Sequence, residues 1–206
     1  MKIFVDYDGT LIKTKEEDFT KLYFSSLARW SKIDISFLSN IILKVTKDLI
    51  LNQQGEDNIY IQFMKKLVEN SDKKMEEWEK IFTEYYEKEF IKLKNHIIVN
   101  TLLAEKLKKS KNKIIFASNP LFPEIAVKRR LEFANMKFED FEFVAMMENS
   151  RWLKPNPLFF TDIIKKIKGK PEECVMIGDT DFDKSCEKVG IKFIHVENEE
   201  EWLKII

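Results

Sequence analysis

Cysteine is scarce: only Cys174 and Cys186 occur among 206 residues, with no Cys-x-x-Cys pair and no Cys/His cluster. A disulfide framework and a zinc site are therefore poor readings. An excess of charge of either sign is also missing, because 35 lysines and arginines balance 35 aspartates and glutamates. Such a chain has no global field to draw in nucleic acid or an anionic membrane. No apolar run approaches the ~18 residues of a spanning helix. At the N-terminus, Asp6 intervenes before a signal-peptide core of about 7–15 apolar residues can form. The expectation is a cytoplasmic protein with reduced thiols, no nucleic-acid or membrane partner and no obligate protein partner.

Proline and glycine are few and unevenly placed. All five prolines lie after residue 119, and Gly55 is the single glycine between Thr14 and Asn95. Within that stretch apolar residues recur at helical spacing: Phe19, Leu22, Tyr23, Leu27 and Trp30, then Ile59, Phe63, Met64 and Leu67, then Met75, Trp78, Phe82, Tyr85 and Tyr86. This reads as an all-helical block, with Ser36, Ser71 and Asp72 as expected N-caps. Elsewhere short apolar strands alternate with helices. Strands are expected at Lys2–Tyr7, Lys113–Ala117, Glu142–Met146, Cys174–Ile177 and Lys192–Val196. Helices are expected near Ile97–Lys109, Glu124–Phe133, Pro157–Ile167 and Asp181–Val189. The alternation predicts an α/β fold, a Rossmann-like and mostly parallel sheet with helices on both faces. Sheets of this kind bind ligands at the carboxyl ends of their strands.

The chemistry-bearing residues fall at those ends. The first strand runs into Asp6-Tyr7-Asp8-Gly9-Thr10-Leu11, and residues two apart in an extended chain face the same side. Two carboxylates at that spacing repel unless a cation or proton intervenes, and oxygen-only ligands favour magnesium. An acidic turn in which one aspartate caps a helix is the simpler alternative. A second apolar strand enters Gly178-Asp179-Thr180-Asp181-Phe182-Asp183. Thr180 or Asp181 alone would serve as a helix cap, so the cluster holds more carboxylates than capping requires. An EF-hand reading fails, because Lys184 stands where that loop needs glycine and Gly190 where it needs glutamate. Two further features suit a phosphate: Ser118-Asn119 after a strand, and Lys154 before Pro155-Asn156-Pro157. Each also has an ordinary reading as a turn or a solvated loop.

Taken in order, Asp-x-Asp-Gly-Thr-Leu, the strand ending in Ser-Asn, Lys-Pro-x-Pro and Gly-Asp-x-x-x-Asp resemble the four signature motifs of the haloacid dehalogenase superfamily. The resemblance covers residues 1–13 and 96–206 as a core, with residues 14–95 placed where many members insert a helical cap domain. It implies a nucleophile at Asp6, a general acid and base at Asp8, and a phosphate held by Ser118, Asn119 and Lys154. Magnesium would be held by Asp6, the Asp8 carbonyl and Asp179, with Asp183 as a direct, water-mediated or supporting member. Asp181 would be a helix cap or bystander. A carboxylate at the second aspartate position goes with phosphatases and phosphomutases and disfavours dehalogenation. The implied activity is a magnesium-dependent phosphatase acting on a small phosphorylated metabolite. A phosphomutase and a catalytically idle binding member of the same fold are the alternatives. His96 and His195 match no motif position and read as structural or surface residues.

Overall fold

The computed structural model describes residues 1–206. Strand β1 (Lys2–Val5) opens the chain and is followed by four helices, α1 (Glu16–Ser31), α2 (Ile35–Leu51), α3 (Ile59–Glu69) and α4 (Met75–Lys88). The chain then alternates through α5 (Thr101–Lys109), β2 (Lys113–Phe116), α6 (Glu124–Phe133), β3 (Phe143–Val144) and α7 (Leu158–Lys166). It ends with β4 (Cys174–Gly178), α8 (Asp181–Lys184), β5 (Lys192–His195) and α9 (Glu199–Trp202). The sheet order is β3-β2-β1-β4-β5 and every neighbouring pair is parallel. The expected α/β class is thus the observed one.

Side-chain alternation explains the layers. Ile3 and Val5 of the central strand pack with Leu103, Leu107, Leu131 and Trp202 on one face. Phe4 joins Met176, Phe160 and Ile163 on the other. A strand buried on both faces reads as a continuous apolar run, which is what Ile3-Phe4-Val5 is. The helical insertion has a core of its own, in which Tyr23, Leu38, Val45, Leu67, Trp78 and Phe90 are buried. It sits on α6 through Ala126 and Phe133, with the Phe90 and Phe133 ring centroids 5.3 Å apart.

The insertion is also fastened along the segment that leads to Lys154. Gln53 accepts from the Leu153 N–H at 2.7 Å and donates to its carbonyl at 3.0 Å. The Ile59 N–H donates to the Ser150 carbonyl at 2.8 Å, and the Tyr60 N–H to the Met147 carbonyl at 3.1 Å. No helix is long and apolar enough to cross a membrane.

Several expected boundaries shift. Helix α2 is capped by Asp34, whose carboxylate accepts from the Phe37 N–H at 2.9 Å, and Ser36 lies inside the helix. Helix α4 starts after Lys74, whose N–H donates to Glu77 at 2.8 Å, so neither Ser71 nor Asp72 caps it. The Ser71 hydroxyl instead accepts from the buried Trp78 indole at 2.9 Å, because a buried N–H requires a partner. Helix α5 starts at Thr101, four residues later than expected, because Val99 bridges Ile12 in extended form. The helix expected over Asp181–Val189 ends at Lys184 and continues as a 3-10 turn, Ser185–Val189. The strand expected at Glu142–Met146 pairs with β2 only over Phe143–Val144.

Candidate active site

Adjacent parallel strands set the geometry. Val5 of β1 lies opposite Ile177 of β4, and the Asp6 N–H donates to the Ile177 carbonyl at 3.0 Å. The residue just past each strand therefore emerges at the same edge, which brings Asp6 beside the loop carrying Asp179. Gly9 permits the close approach: its φ is +71°, and a Cβ there would lie 2.0 Å from an Asp179 oxygen.

Lys154 arrives from the loop before α7. Its ammonium donates to Asp6 Oδ1 at 2.9 Å and to Asp183 Oδ1 at 2.5 Å. All three groups are out of solvent, with exposures of 3% for Lys154, 7% for Asp6 and 0% for Asp183. The other Asp183 oxygen accepts from the Asp179 N–H, the Thr180 N–H and the Thr180 hydroxyl at 3.2, 3.2 and 3.0 Å. Asp183 thus ties the β4–α8 turn together while it holds the lysine. A Cβ on Gly178 would come within 2.4 Å of the same carboxylate.

Burial is the largest influence on Asp6. Lys154 pulls its carboxyl down, Asp183 and Asp8 push it up, and it ends at about 7. Burial and Asp183 likewise raise Asp179 to about 6, against Lys154. For Lys154, burial opposes the charge, but Asp6 and Asp183 more than restore it, so the amine stays protonated. Oxygens of Asp6, Asp179 and Asp183 lie within 4.8 Å of one another. Three carboxylates around one ammonium carry excess negative charge, and an all-oxygen donor set suits a hard divalent cation. These residues fit a metal.

The Asp8 carboxylate lies outside that cluster and pairs with Arg130 through Oδ2, while Oδ1 is buried without a partner. Arg130, 2% exposed, lies 4.1 Å over the Tyr7 ring and 4.5 Å over Phe122, and its carbonyl accepts from the Tyr7 hydroxyl at 2.6 Å. Motif reading passes over this residue. A signal does exist: Arg130 falls on the apolar stripe of α6 with Ala126, Val127 and Leu131, where an unpaired arginine would not be tolerated.

Ser118 is buried just past β2 and lines the same cavity as Asp6, Asp8, Lys154 and Asp179. Asn119, expected on the phosphate, has its amide on the backbone of Lys154: Oδ1 accepts from the N–H at 3.0 Å and Nδ2 donates to the carbonyl at 3.3 Å. Its contact is with the lysine's main chain, which it positions. Asp181 is exposed. His195, which matches no motif, sets Nε2 3.1 Å from the Asp179 carbonyl. The cavity has a volume of about 1020 Å³ and runs from these strand ends to the inserted helices.

A family model described as haloacid dehalogenase-like hydrolase matches residues 3–184. The chain belongs to this family. Solved structures share the fold at low identity. A haloacid dehalogenase-superfamily hydrolase of subfamily IA from Geobacter sulfurreducens is 14% identical with a TM-score of 0.58, over 100% of this chain and 98% of that one. A family enzyme from Bacteroides thetaiotaomicron, in complex with magnesium and inorganic phosphate, is 20% identical with a TM-score of 0.55, over 94% and 92%. A 2-haloacid dehalogenase from Pseudomonas syringae pv. Tomato is 17% identical with a TM-score of 0.59, over 94% and 85%. No curated protein matches the chain significantly. This haloacid dehalogenase-like hydrolase is an enzyme with a buried carboxylate cluster at its strand ends.

Proposed function

We propose that this hydrolase is a magnesium-dependent phosphatase of small phosphomonoesters that works through an aspartyl-phosphate on Asp6. The observation that carries the reading is the Lys154 ammonium held between the buried carboxylates of Asp6 and Asp183. A cation fixed beside a carboxylate at a strand end supplies the charge that a phosphoryl group needs, without reorganisation. In this reading residues 14–95 form the cap domain and residues 1–13 and 96–206 the core. The protein is cytoplasmic and has no nucleic-acid, membrane or obligate protein partner.

Asp6, the Asp8 carbonyl and Asp179 would hold the magnesium, with Asp183 fixing their loop. When bound, the metal neutralises the carboxylates and the phosphate so that one anion can approach another. An Asp6 oxygen attacks phosphorus, the bond from phosphorus to the ester oxygen breaks, and Asp8 gives the leaving oxygen its proton. Water then attacks the same phosphorus, loses its proton to Asp8, and the bond to Asp6 breaks. Arg130 anchors one oxygen of Asp8, leaving the partnerless oxygen for that proton. Lys154 and Ser118 hold the phosphoryl oxygens in place.

The test is phosphate release from a panel of phosphomonoesters with magnesium, with EDTA and with Asp6→Asn. EDTA abolishes release, and Asp6→Asn lowers kcat by about 10³-fold or more. Acid quenching followed by mass spectrometry finds the added phosphate on Asp6. A substantial rate surviving in Asp6→Asn removes Asp6 as nucleophile.

A further inference from the structure

Charge is distributed very unevenly along the cavity. The cationic residues lining it are Lys13, Lys15, Arg130 and Lys154. Arg130 and Lys154 are committed to carboxylates at the floor, and Lys13 and Lys15 are exposed in the connection before α1. Helices α1 to α4 contribute no cation at all to the lining, and they do contribute Glu16, Glu17 and Glu79. A second phosphate on the substrate would meet no counter-charge there, and it would approach Glu79 and Glu148 of the core.

The walls that the inserted helices supply are apolar, including Phe24, Ile42, Phe63, Met64 and Phe82. Their tyrosine hydroxyls are already engaged, and Glu16 and Glu17 lie in the first turn of α1, beside the connection from the core. The hydroxyls of Tyr23 and Tyr86 bond at 2.8 Å, and the Tyr60 hydroxyl donates to Glu79 at 3.2 Å. Thr20, Thr46 and Thr83 add single hydroxyls, too few to match a polyol. Two large apolar side chains of the lining stand in solvent: Leu43 of α2 is 49% exposed and Phe182, beside Asp183, is 41% exposed. A ligand with an apolar organic part would cover both.

We infer that the substrate is a monophosphate of a predominantly apolar alcohol, aliphatic or aryl, whose organic part fills the cavity beneath α1 to α4. The inference rests on the phosphatase reading for the phosphate end and on the cavity walls for the rest. A second phosphate or a polyol placed against the walls of α1 to α4 finds no counter-charge and little hydrogen-bonding match there, which also disfavours a mutase working through a bisphosphate.

The test uses the whole chain with magnesium and n-alkyl phosphates from ethyl to octyl, below their micellar range, so that leaving-group chemistry is constant. Phenyl phosphate tests the aryl case, and glucose 6-phosphate and fructose 1,6-bisphosphate are the polar comparators. The expected kcat/KM rises by roughly two- to fourfold per methylene and exceeds that for either sugar phosphate. Leu43→Asp, at an exposed position, flattens the series. The matching n-alkylphosphonates, which have no ester oxygen to cleave, are bound in calorimetry with affinity that climbs along the same series. Hydrolysis with a flat or falling series, or a preference for the sugar phosphates, overturns the inference and leaves the phosphatase reading standing. If no ester is cleaved while phosphonate affinity climbs with chain length, the phosphatase reading fails and the apolar site stands. Phosphonates that bind no tighter as they lengthen overturn the inference whatever the turnover.

Discussion

At the floor of the cavity, Lys154, Arg130, Asp6 and Asp183 lie almost wholly out of water and Asp8 is half-buried, each charge fixed by at least one opposite charge. At its roof, rings pack against rings: Tyr23 lies 5.2 Å from Phe24 and Tyr86 lies 5.2 Å from Phe90. The floor is held by strong interactions that tolerate no missing member, since a buried charge without its partner is expensive. The roof is held by many weak contacts among side chains of similar shape, where exchange of one for another costs little if volume is kept. On the proposed function, reaction chemistry would depend on the first kind of construction and substrate choice on the second, so the roof could change its selectivity while the floor stays fixed.

The contrast breaks most visibly at Lys154. Lys154→Met leaves Asp6 and Asp183 facing each other without a cation, and the expected loss of unfolding free energy is about 3–5 kcal/mol at pH 8. The loss shrinks at pH 5, where a proton replaces the ammonium, and urea denaturation at both values measures it. Phe90→Ala at the roof removes a fully buried ring and costs a similar 3–5 kcal/mol or so. That loss is the same at both pH values, and a pH-dependent result there would erase the distinction.

Metal binding sharpens the contrast from the other side. Asp6 at about 7 and Asp179 at about 6 keep protons in the folded chain that unfolded carboxyls, near 4, have released. Their contribution to stability is therefore present below about pH 4 and is lost as pH rises through 6 to 7. Magnesium, if it is the ion of the proposed function, would replace those protons, so its stabilisation is expected to be larger at pH 8 than at pH 5. At a hundred times its Kd it raises Tm by about 5–10 °C at the higher pH. Asp179→Asn removes most of that shift in a thermal melt, and a full shift in the variant would place the ion elsewhere. The smallest effect is expected at Gln53→Ala, which removes two hydrogen bonds between roof and floor. It lowers stability by about 1–2 kcal/mol in the same melt, and a change much larger than that would mean the two regions are less separate than their construction implies.

The sheet is legible in the sequence because each strand is a short apolar run closed by a glycine, a proline or a polar turn, and strand alternation leaves few other arrangements. Helix starts are less so. Asp34 rather than Ser36 caps α2, and Ser71 serves the Trp78 indole rather than a helix end, because several neighbouring side chains suit a cap and composition alone does not say which one is used. Asp6, Asp8 and Asp179 stand out as charges at strand ends, and Lys154 as a charge just before a proline-marked helix start. Arg130 does not, since its pair with Asp8 spans 122 positions and its helix belongs to no motif. The cavity's apolar character is hidden for a related reason: spacing tells which residues share a helix face but not whether that face meets a neighbour or a void. Leu43 and Ile42 are consecutive, yet only Ile42 is buried.

The fastening of Gln53, Ile59 and Tyr60 to residues 147–153 has a mechanical consequence. A cover joined to its base only through two crossover strands of chain could swing freely. This one is also tied to the segment that leads to Lys154, so in the proposed mechanism a tilt of the cover would pull on that lysine's main chain. Under that mechanism, admission of a guest and alignment of the ammonium would become one movement.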